Sequence, residues 1–358
     1  MRIGVLGGGQ LGRMLGLAGI PLGMRFRFLD PARAAPAAAV GEHLAVAYDD
    51  PDGLARFADG IEVFTYELEH LPVESARRLE ASGPVYPDSV ALEVAQDRLR
   101  EKEFFQAAEI PVGWYAPVDT LDALVAAAAK AGFPCLVKTR RQGYDGKGQV
   151  RLASPADVGA AWEVLRGVPC VVERWIPYER EVSLIGVRAR SGEIRFYPLV
   201  ENRHAEGILR LSLAPAPSVT PELQAEAERY VRRLLERLNY VGTLALELFQ
   251  VEGRLVANEM APRVHNSGHW TIEGAETSQF ENHLRAIAGL PLGSTAPRAV
   301  CAMVNLIGTA PPLDALLRVP GAHVHLYDKQ PAPGRKLGHV TLLAAGHDEL
   351  LEKITEVC

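Results

Sequence analysis

The sequence predicts a chain of mixed α/β and α+β architecture, in which an N-terminal domain with a parallel sheet precedes units built on antiparallel hairpins. Two observations carry this prediction. Short apolar strands alternate with helices over the first part of the chain, an order typical of parallel sheets covered by helices. Near residue 180 the order changes to paired strands joined by short turns, which is typical of antiparallel sheets. The 358 residues are enough for roughly two to three domains of ordinary size.

The N-terminal elements are predicted from apolar runs and the turns between them. Strands are expected at 2–6, 25–29 and 61–64, with a helix after the first strand that extends to about Leu22. The third strand leads into the segment TYELEH. A helix-rich stretch from about Ser89 to Ala108 is expected to lead to the next unit.

The remaining elements are predicted in the same way. Strands are expected at 134–138 and 169–174, a helix at 155–167, an antiparallel pair that turns at Ser191 and Gly192, a helix at 221–238, a hairpin that turns near Glu252 and Gly253, and strands near 299–306, 323–327 and 337–343. The strand 134–138 leads directly into a charged, glycine-rich loop at 140–149.

Composition and charge exclude several classes of protein. The chain is 48% hydrophobic and 23% charged, typical of a globular protein, and its net charge of -6 offers no overall attraction to nucleic acid or acidic membranes. The four cysteines form no CxxC pair and no evident disulfide framework, and Cys135 and Cys170 are predicted to be buried strand residues. No signal peptide or membrane span is predicted, so we expect a cytoplasmic protein.

The glycine-rich run GGGQLG follows the first predicted strand. Gly7, Gly9 and Gly12 match the G-x-G-x-x-G pattern of dinucleotide-binding turns, and Asp30 lies near the usual ribose-binding offset. The same turn can also hold a nucleotide monophosphate, or simply let a strand and a helix pack closely. We predict that NAD does not bind, because the stronger nucleotide-binding pattern lies in the second half of the chain.

A second glycine-rich loop is predicted to close over phosphates. Lys138 stands at a strand end, and Gly143, Gly146 and Gly148 alternate with polar residues in the loop that follows. Such a loop offers main-chain N–H groups and a cation to phosphates, although a polar surface hairpin has a similar composition. Glu173 and Glu181 lie at strand ends, where a carboxylate can accept from an adenine amine or ribose hydroxyls, or can simply be solvated.

Two carboxylates in the predicted hairpin indicate a metal site. With a two-residue turn, Glu247 would lie opposite Asn258, whereas a one-residue bulge would bring Glu259 opposite it. Both registers cluster the three side chains on adjacent strands. Neighbouring carboxylates repel each other, and their hard oxygens suit Mg²⁺, which also bridges nucleotide phosphates. The alternative is a pair of carboxylates on a wet sheet face.

Two basic segments follow the hairpin. APRVHNSGHW, at 261–270, places Arg263 close to His265 and Asn266, and arginine can hold a small planar anion with two hydrogen bonds. DKQPAPGRKLGH, at 328–339, carries Lys329, Arg335 and Lys336. The second cluster is typical of a solvated loop when taken alone, but beside the other motifs it indicates a clamp for a phosphate monoester.

Taken together, these motifs resemble those of the ATP-grasp superfamily and, within it, the N5-carboxyaminoimidazole ribonucleotide synthetase family. GYDGKGQ with APRVHNSGHW is a specific pairing, whereas GGGQLG alone is weak, and the matching segments extend from Gly7 to His339. The resemblance implies an ATP-grasp fold with a Rossmann-like N-terminal domain at 1–95, a small lid domain at 96–175, and a C-terminal α+β domain at 176–358 that ends in a small β region.

The resemblance also implies an activity and its ligands. It implies ATP-dependent carboxylation of 5-aminoimidazole ribonucleotide with bicarbonate, through carboxyphosphate, with ATP and Mg²⁺ bound. A homodimer is expected. The rivals are a sister ATP-grasp transformylase that uses formate, an NAD-dependent dehydrogenase and an inactive nucleotide sensor. The bicarbonate-type segment disfavours the transformylase. A dehydrogenase would leave the carboxylates and the basic tail unexplained. The complete set of candidate ligands disfavours the inactive sensor.

The roles implied for individual residues fall into four groups. ATP contacts are implied for Arg98, Lys138, Gly143, Tyr144, Asp145, Gly146, Lys147, Gly148, Gln149, Glu173, Arg174, Trp175, Ile176, Glu181, His204, Asn258 and Glu259. Mg²⁺ is assigned to Glu247 and Glu259, and the bicarbonate and catalytic roles to Arg263, His265, Asn266 and Asp145. Ribonucleotide contacts are implied for Tyr144, Asp145, Lys147, Ser267, Lys329, Arg335 and Lys336. Asp145 and His265 both remain candidates for the base.

Overall fold

A parallel sheet with covering helices forms the N-terminal part of the structure. The computed structural model describes residues 1–143 and 146–357. The sheet has the order β3-β2-β1-β4 and consists of β1 (Arg2–Leu6), β2 (Arg25–Leu29), β3 (Glu42–Leu44) and β4 (Val63–Tyr66). The helices of this region are α1 (Gln10–Gly19), α2 (Pro51–Ala58), α3 (Val73–Glu80), α4 (Ser89–Ala95) and α5 (Arg98–Ala107).

The edge of the parallel sheet at the carboxyl ends of its strands is the part that bears on function. Helix α1 buries Met14 and Leu15 against Phe26 and Phe28 of β2, whose rings stack with centroids 5.9 Å apart. All the paired strands run in the same direction. The segments that follow β1, β2 and β4 therefore emerge at one edge, the usual location of ligand sites in parallel sheets.

A small antiparallel sheet follows. It has the order β5-β8-β6-β7 and consists of β5 (Tyr115–Val118), β6 (Cys135–Thr139), β7 (Gln149–Leu152) and β8 (Cys170–Arg174), with helices α6 (Leu121–Ala131) and α7 (Val158–Val164). Cys135 and Cys170 are fully buried in the core between this sheet and its helices, which confirms their predicted placement. The glycine-rich loop connects β6 to β7, so the pairing of these two strands fixes both of its ends.

The third sheet has nine strands and antiparallel pairing. Its order is β14-β13-β9-β11-β12-β15-β17-β16, with β10 paired to β9. The strands are β9 (Arg180–Arg188), β10 (Ile194–Phe196), β11 (Val200–Ala205), β12 (Ile208–Ala214), β13 (Gly242–Val251), β14 (Arg254–Ala261), β15 (Val300–Ile307), β16 (Ala322–Leu326) and β17 (Lys336–Ala344). The accompanying helices are α8 (Pro221–Arg237), α9 (Thr271–Gly274), α10 (Gln279–Ala288), α11 (Leu313–Arg318) and α12 (His347–Val357).

Helices α8 and α10 cover this large sheet. Helix α8 begins at Pro221, with the Thr220 hydroxyl accepting from the Leu223 amide at 3.3 Å, a favourable N-terminal cap. Its apolar face buries Val231 and Leu234 in a core with residues of β9 and β13. None of the helices in the described ranges has both the length and the apolarity needed to cross a bilayer.

The predicted change from parallel to antiparallel order is confirmed, but it comes before residue 180, because the strands of the small sheet, from β5 onwards, already pair antiparallel. The other differences are local. The strand expected at 61–64 lies at Val63–Tyr66. The segment expected to form one strand after the Ser191–Gly192 turn divides into β10 and β11, because Pro198 lies between them and has no N–H to donate to a sheet. The helix expected at 155–167 is a 3-10 turn, Pro155–Asp157, followed by α7.

Candidate active site

A cavity of about 890 Å³ is lined by residues from all three sheets or the segments that follow their strands. The predicted site residues that line it are Arg98, Lys138, Gly143, Gly146, Gln149, Trp175, Glu181, His204, Glu247, Asn258, Glu259, Arg263, His265, Asn266, Lys329, Arg335 and Lys336. Tyr144 and Asp145 lie outside the described residues. One cavity therefore gathers groups from every motif that the sequence singles out after residue 95.

The N-terminal glycine turn meets this cavity but its main-chain donors are occupied. The Gly9 and Gly12 amides donate to the Glu67 carboxylate, and the Gly8 amide donates to Asp30 Oδ2 at 2.9 Å. Burial raises the pKa of Glu67, although the amide donors oppose this effect. The amides that a dinucleotide pyrophosphate would need are thus held by the chain's own carboxylates.

A β-bulge in the β13–β14 hairpin builds the carboxylate cluster. Glu247 pairs with Glu259 and Leu248 with Ala257, so Asn258 is the extra residue. Because a bulge disturbs the strict alternation of side chains, Asn258 and Glu259 both line the cavity with Glu247. The bulged register is therefore the correct one of the two that the sequence leaves open.

Cations surround the Glu259 carboxylate. Arg98, the first residue of α5, places Nη1 2.8 Å from Glu259 Oε2. Burial favours the neutral acid, but Arg98 and Lys138 hold the pKa of Glu259 below its ordinary value. In the described ranges no group of three or more His, Cys, Asp or Glu side chains has metal-binding geometry. A cation at Glu247 and Glu259 would therefore need further oxygens from a ligand, an amide or water.

An ion pair with Glu173 fixes the position of Lys138. Its Nζ lies 2.9 Å from Glu173 Oε2, and Lys102 Nζ lies 3.2 Å from the other carboxylate oxygen. Burial opposes ionisation of Glu173, but the two lysines lower its pKa to about 2. Burial lowers the pKa of Lys138. Glu173 does not line the cavity itself, but it fixes the ammonium group of Lys138, which does line it.

Glu181 and His204 form a second charged pair on adjacent strands. Glu181 Oε2 lies 2.6 Å from His204 Nδ1, and the Tyr178 hydroxyl donates to Glu181 Oε1 at 2.7 Å. Burial lowers the pKa of His204, but Glu181 raises it above the ordinary value. The Tyr178 ring stacks on Phe249 at 4.6 Å, and both rings line the cavity, so a flat apolar surface lies beside the pair.

Arg263 is anchored by the N-terminal domain. Glu69, which follows β4, accepts from Arg263 Nη2 at 2.8 Å and from Nε, a two-point arrangement that fixes the plane of the guanidinium. Burial opposes ionisation of Glu69, but Arg263 lowers its pKa to about 2. The ion pair connects residues that are 194 positions apart and joins the parallel sheet to the segment after β14.

His265 and Asn266 are held by buried amide side chains. Gln279 Oε1 accepts from the His265 amide at 2.9 Å, and its Nε2 donates to the His265 carbonyl at 2.6 Å. Asn266 and Asn305 exchange two side-chain hydrogen bonds, of 3.1 and 2.7 Å. His265 Nε2 lies 3.1 Å from Glu247 Oε1. These contacts fix both side chains at the cavity wall, next to the carboxylate cluster.

The basic C-terminal cluster, Lys329, Arg335 and Lys336, meets the start of helix α1, directly after the N-terminal glycine turn, at the cavity wall. Lys329 Nζ donates to Gln10 Oε1 at 2.5 Å. Burial lowers the pKa of Lys329, and the nearby Arg335 and Lys336 cations lower it further. Mutually repelling cations that are kept together at a cavity wall are suited to an anionic ligand.

Some predicted residues lie away from the cavity wall. Those described residues are Lys147, Gly148, Glu173, Arg174, Ile176 and Ser267. Arg174 Nε donates to the Ala131 carbonyl at 3.0 Å, which directs it away from the cavity and against helix α6. Ser267 is fully buried, and its hydroxyl bonds to His265 and Ser183. The ligand contacts predicted for all of these residues away from the cavity wall stay predictions.

Several lining or supporting residues were not predicted from the sequence. Glu67 and Glu69 belong to TYELEH, a segment noted for its position after a strand but given no role. Glu101 accepts from the Met260 amide at 2.7 Å, and burial raises its pKa to about 8. Lys102 also lies one helical turn from Arg98 on α5. Two acidic residues directly after a parallel strand were the available signal for Glu67 and Glu69.

This arrangement suits phosphoryl transfer to a small anion. Cations and carboxylates line one cavity, together with an apolar ring stack and a basic cluster. Family models match in the same order: a ribonucleotide synthetase preATP-grasp domain at 1–96, an ATP-grasp domain at 103–280 and a phosphoribosylaminoimidazole carboxylase C-terminal domain at 301–353. The fold and site therefore define an ATP-grasp protein, as the sequence predicts.

Comparison with individual proteins narrows this class. The chain is 54% identical over 357 residues to N5-carboxyaminoimidazole ribonucleotide synthase of Pseudomonas aeruginosa, with 100% of this chain and 98% of the relative covered. The crystal structure of the synthetase from Thermus thermophilus is 56% identical, with a TM-score of 0.95 and coverage of 99% and 97%. The synthase of Aspergillus clavatus in complex with ADP and 5-aminoimidazole ribonucleotide is 31% identical, with a TM-score of 0.92 and coverage of 99% and 97%. The chain belongs to the N5-carboxyaminoimidazole ribonucleotide synthase family.

We expect that NAD does not bind, because Glu67 and Asp30 occupy the amides of the glycine turn. Calorimetric titration with NAD should give no saturable signal, whereas ATP with Mg²⁺ in the same cell serves as the positive control. Tight, saturable NAD binding would contradict this prediction.

The Lys102–Glu173–Lys138 cluster should make stability depend on pH. The folded-state pKa of Glu173, about 2, lies below the unfolded value of about 4.3. Its carboxylate therefore stabilises the fold above pH ~4.3, and the contribution is lost as the pH falls towards 2. Glu173→Gln should lower the free energy of unfolding by about 3–5 kcal/mol at neutral pH and by less near pH ~3. Denaturant unfolding of this variant, beside exposed Glu163→Gln, tests both points, and an equal loss at the two pH values would refute the assignment.

Proposed function

We propose that this chain catalyses the ATP-dependent carboxylation of 5-aminoimidazole ribonucleotide with bicarbonate. The products are N5-carboxyaminoimidazole ribonucleotide, ADP and phosphate, in de novo purine (IMP) biosynthesis. The observation that carries the proposal is the convergence on one cavity of the Glu247–Glu259 carboxylates, the anchored Arg263 and the basic cluster at Lys329. Membership of the family supports it, since the relatives named above bear the name of this activity.

ATP is proposed to bind between the small sheet and the large sheet. The Tyr178–Phe249 surface provides an apolar wall for adenine, and Glu181 beside it can accept from ribose hydroxyls. Buried Lys138 and half-buried Arg98 would neutralise phosphate charge. The 140–149 loop, which includes Lys147, is proposed to close over the phosphates and exclude water.

The carboxylate cluster fits Mg²⁺. Glu247 and Glu259 supply hard oxygens, and in the described part of the chain the buried Asn258 Oδ1 has no hydrogen-bond partner. When bound there, Mg²⁺ would neutralise the charge that develops on the phosphates. Asn258 and the two carboxylates would hold it together with phosphate oxygens and water.

In the first chemical step, bicarbonate is activated. Arg263, fixed by Glu69, and the neighbouring His265 and Asn266 would hold the anion beside the γ-phosphate. A bicarbonate oxygen forms a bond to the γ-phosphorus while the bond from that phosphorus to the bridging oxygen of ADP breaks. The product, carboxyphosphate, is formed mainly through positioning and electrostatic stabilisation.

In the second step, the carboxyl group reaches the amine. Carboxyphosphate breaks down to CO₂ and phosphate within the closed cavity, where it is protected from water. The exocyclic amine of the ribonucleotide then forms a bond to the carbon, and a base takes the proton. The basic cluster would hold the 5′-phosphate. The hydrogen bond between Lys329 and Gln10 brings the start of α1, after the glycine turn, next to this cluster.

The finer features of organisation are part of the same proposal. The domain boundaries after residues 95 and 175, the homodimer and the cytoplasmic location stay predictions. The sister transformylase and the inactive sensor are less well supported, because Arg263, His265 and Asn266 lie together beside the carboxylate cluster.

The activity is tested by ADP release. We expect release that requires bicarbonate and increases on addition of 5-aminoimidazole ribonucleotide. Glu259→Gln should reduce turnover by roughly a hundredfold or more, because it removes a charged ligand of the proposed Mg²⁺ that neutralises the phosphates. The matched variant Glu236→Gln, on the exposed face of α8, should keep wild-type turnover. Release that depends on formate, or a near wild-type rate in Glu259→Gln, would refute the proposal.

The basic cluster is tested through substrate affinity. A charge-assisted hydrogen bond is worth about 1.5–3 kcal/mol, so Arg335→Ala should raise the ribonucleotide KM by roughly ten- to a hundredfold. The KM for ATP should change little, since its proposed ligands lie on other strands. Arg318→Ala, at an exposed position of α11, is the control. An unchanged ribonucleotide KM, or an equal rise in the ATP KM, would contradict the assignment.

A further inference from the structure

A buried chain of hydrogen bonds connects the interior of the large sheet to His265. Ser212 Oγ donates to Asn202 Oδ1, Asn202 Nδ2 donates to Ser183 Oγ, and Ser183 Oγ donates to Ser267 Oγ, each at 2.8 Å. Ser267 Oγ lies 2.9 Å from His265 Nδ1. The three serines are fully buried, which removes water as an alternative partner for their hydroxyls, whereas Asn202 also lines the cavity.

The direction of this chain determines the state of the imidazole. Each serine hydroxyl has one proton, and Ser183 gives its proton to Ser267, which leaves the Ser267 proton for His265 Nδ1. The Ser267 main-chain amide also donates to Nδ1, at 3.4 Å. An amide can only donate, so Nδ1 must present a lone pair whichever way the Asn202 side chain is oriented.

The opposite side of the ring gives an independent indication. Nε2 lies 3.1 Å from Glu247 Oε1. A nitrogen lone pair facing a carboxylate oxygen at this distance would be repelled, whereas an N–H there is attracted. The two sides of the ring therefore favour the same tautomer, with the proton on Nε2.

We propose that Ser183 and Ser267 are positioning residues that lock His265 in the Nε2–H tautomer, so that it acts as a hydrogen-bond donor into the cavity and not as the base. This role in the reaction rests on the proposed function. A neutral imidazole with Nε2–H cannot take a proton at the nitrogen that faces the cavity, and Nδ1 is buried against Ser267. The inference also gives Ser267, which the sequence assigns to the ribonucleotide, a role that acts through His265.

The tautomer is measured directly by ¹⁵N NMR of the free protein labelled at histidine. The bare and protonated ring nitrogens differ widely in ¹⁵N chemical shift, and His265→Asn identifies the signal. We expect the wild-type protein to show a bare Nδ1 and a protonated Nε2. A protonated Nδ1 would overturn the proposal, and this result does not depend on any enzymatic activity.

The positioning role is measured in variants. Ser267→Ala should shift the His265 ¹⁵N signals towards a mixture of tautomers and lower kcat by about three- to tenfold, with the ATP KM unchanged. Ser183→Ala should produce a smaller change in the same direction. Ser75→Ala, at a buried serine that is not part of this series of hydrogen bonds, should produce none. If Ser267→Ala raises only the ribonucleotide KM and leaves the ¹⁵N signals unchanged, Ser267 is a substrate contact and the proposal is wrong. Loss of ribonucleotide-dependent activity already in the wild-type protein would instead count against the proposed function alone.

Discussion

One extra residue in strand β14 is the constraint on which the site depends. The bulge at Asn258 brings Glu259 opposite Glu247, although like charges directly across a sheet destabilise it. The cluster is tolerated because Arg98 meets Glu259 while His265 lies beside Glu247. The bulge therefore decides which hydrogen-bond donors must surround it: the Arg98 guanidinium at the start of α5 and the His265 imidazole in the segment that follows β14.

Much of the fold could be predicted because its local patterns agree with its tertiary structure. The hairpin of β13 and β14 has apolar runs on both sides of a Glu252–Gly253 turn, and α8 has a strong helical repeat after a threonine cap. Predictions failed where a single residue interrupts a pattern. Pro198 divides one expected strand into two, and the periodicity of the apolar residues around it gives no warning of this.

The candidate site was predictable where its chemistry is concentrated in short segments. Glu247, Asn258 and Glu259 could be placed together from a hairpin, but the choice of register needed the bulge, which depends on packing across the sheet. The Glu69–Arg263 ion pair joins two domains, and no spacing in the sequence indicates that these residues meet. The burial of Ser267 was missed for a similar reason, since its partner Ser183 lies on another strand.

The contact between Gln10 and Lys329 has a consequence for biosynthesis. The two residues are 319 positions apart, so the first helix to leave the ribosome must wait for one of the last loops before this wall of the cavity can form. The strands that we propose to bind nucleotide are complete much earlier, by residue 261. A nascent chain can thus acquire a surface that recognises nucleotide well before it can hold the second substrate. Nucleotide binding could itself help the growing chain to fold before the second substrate can be held.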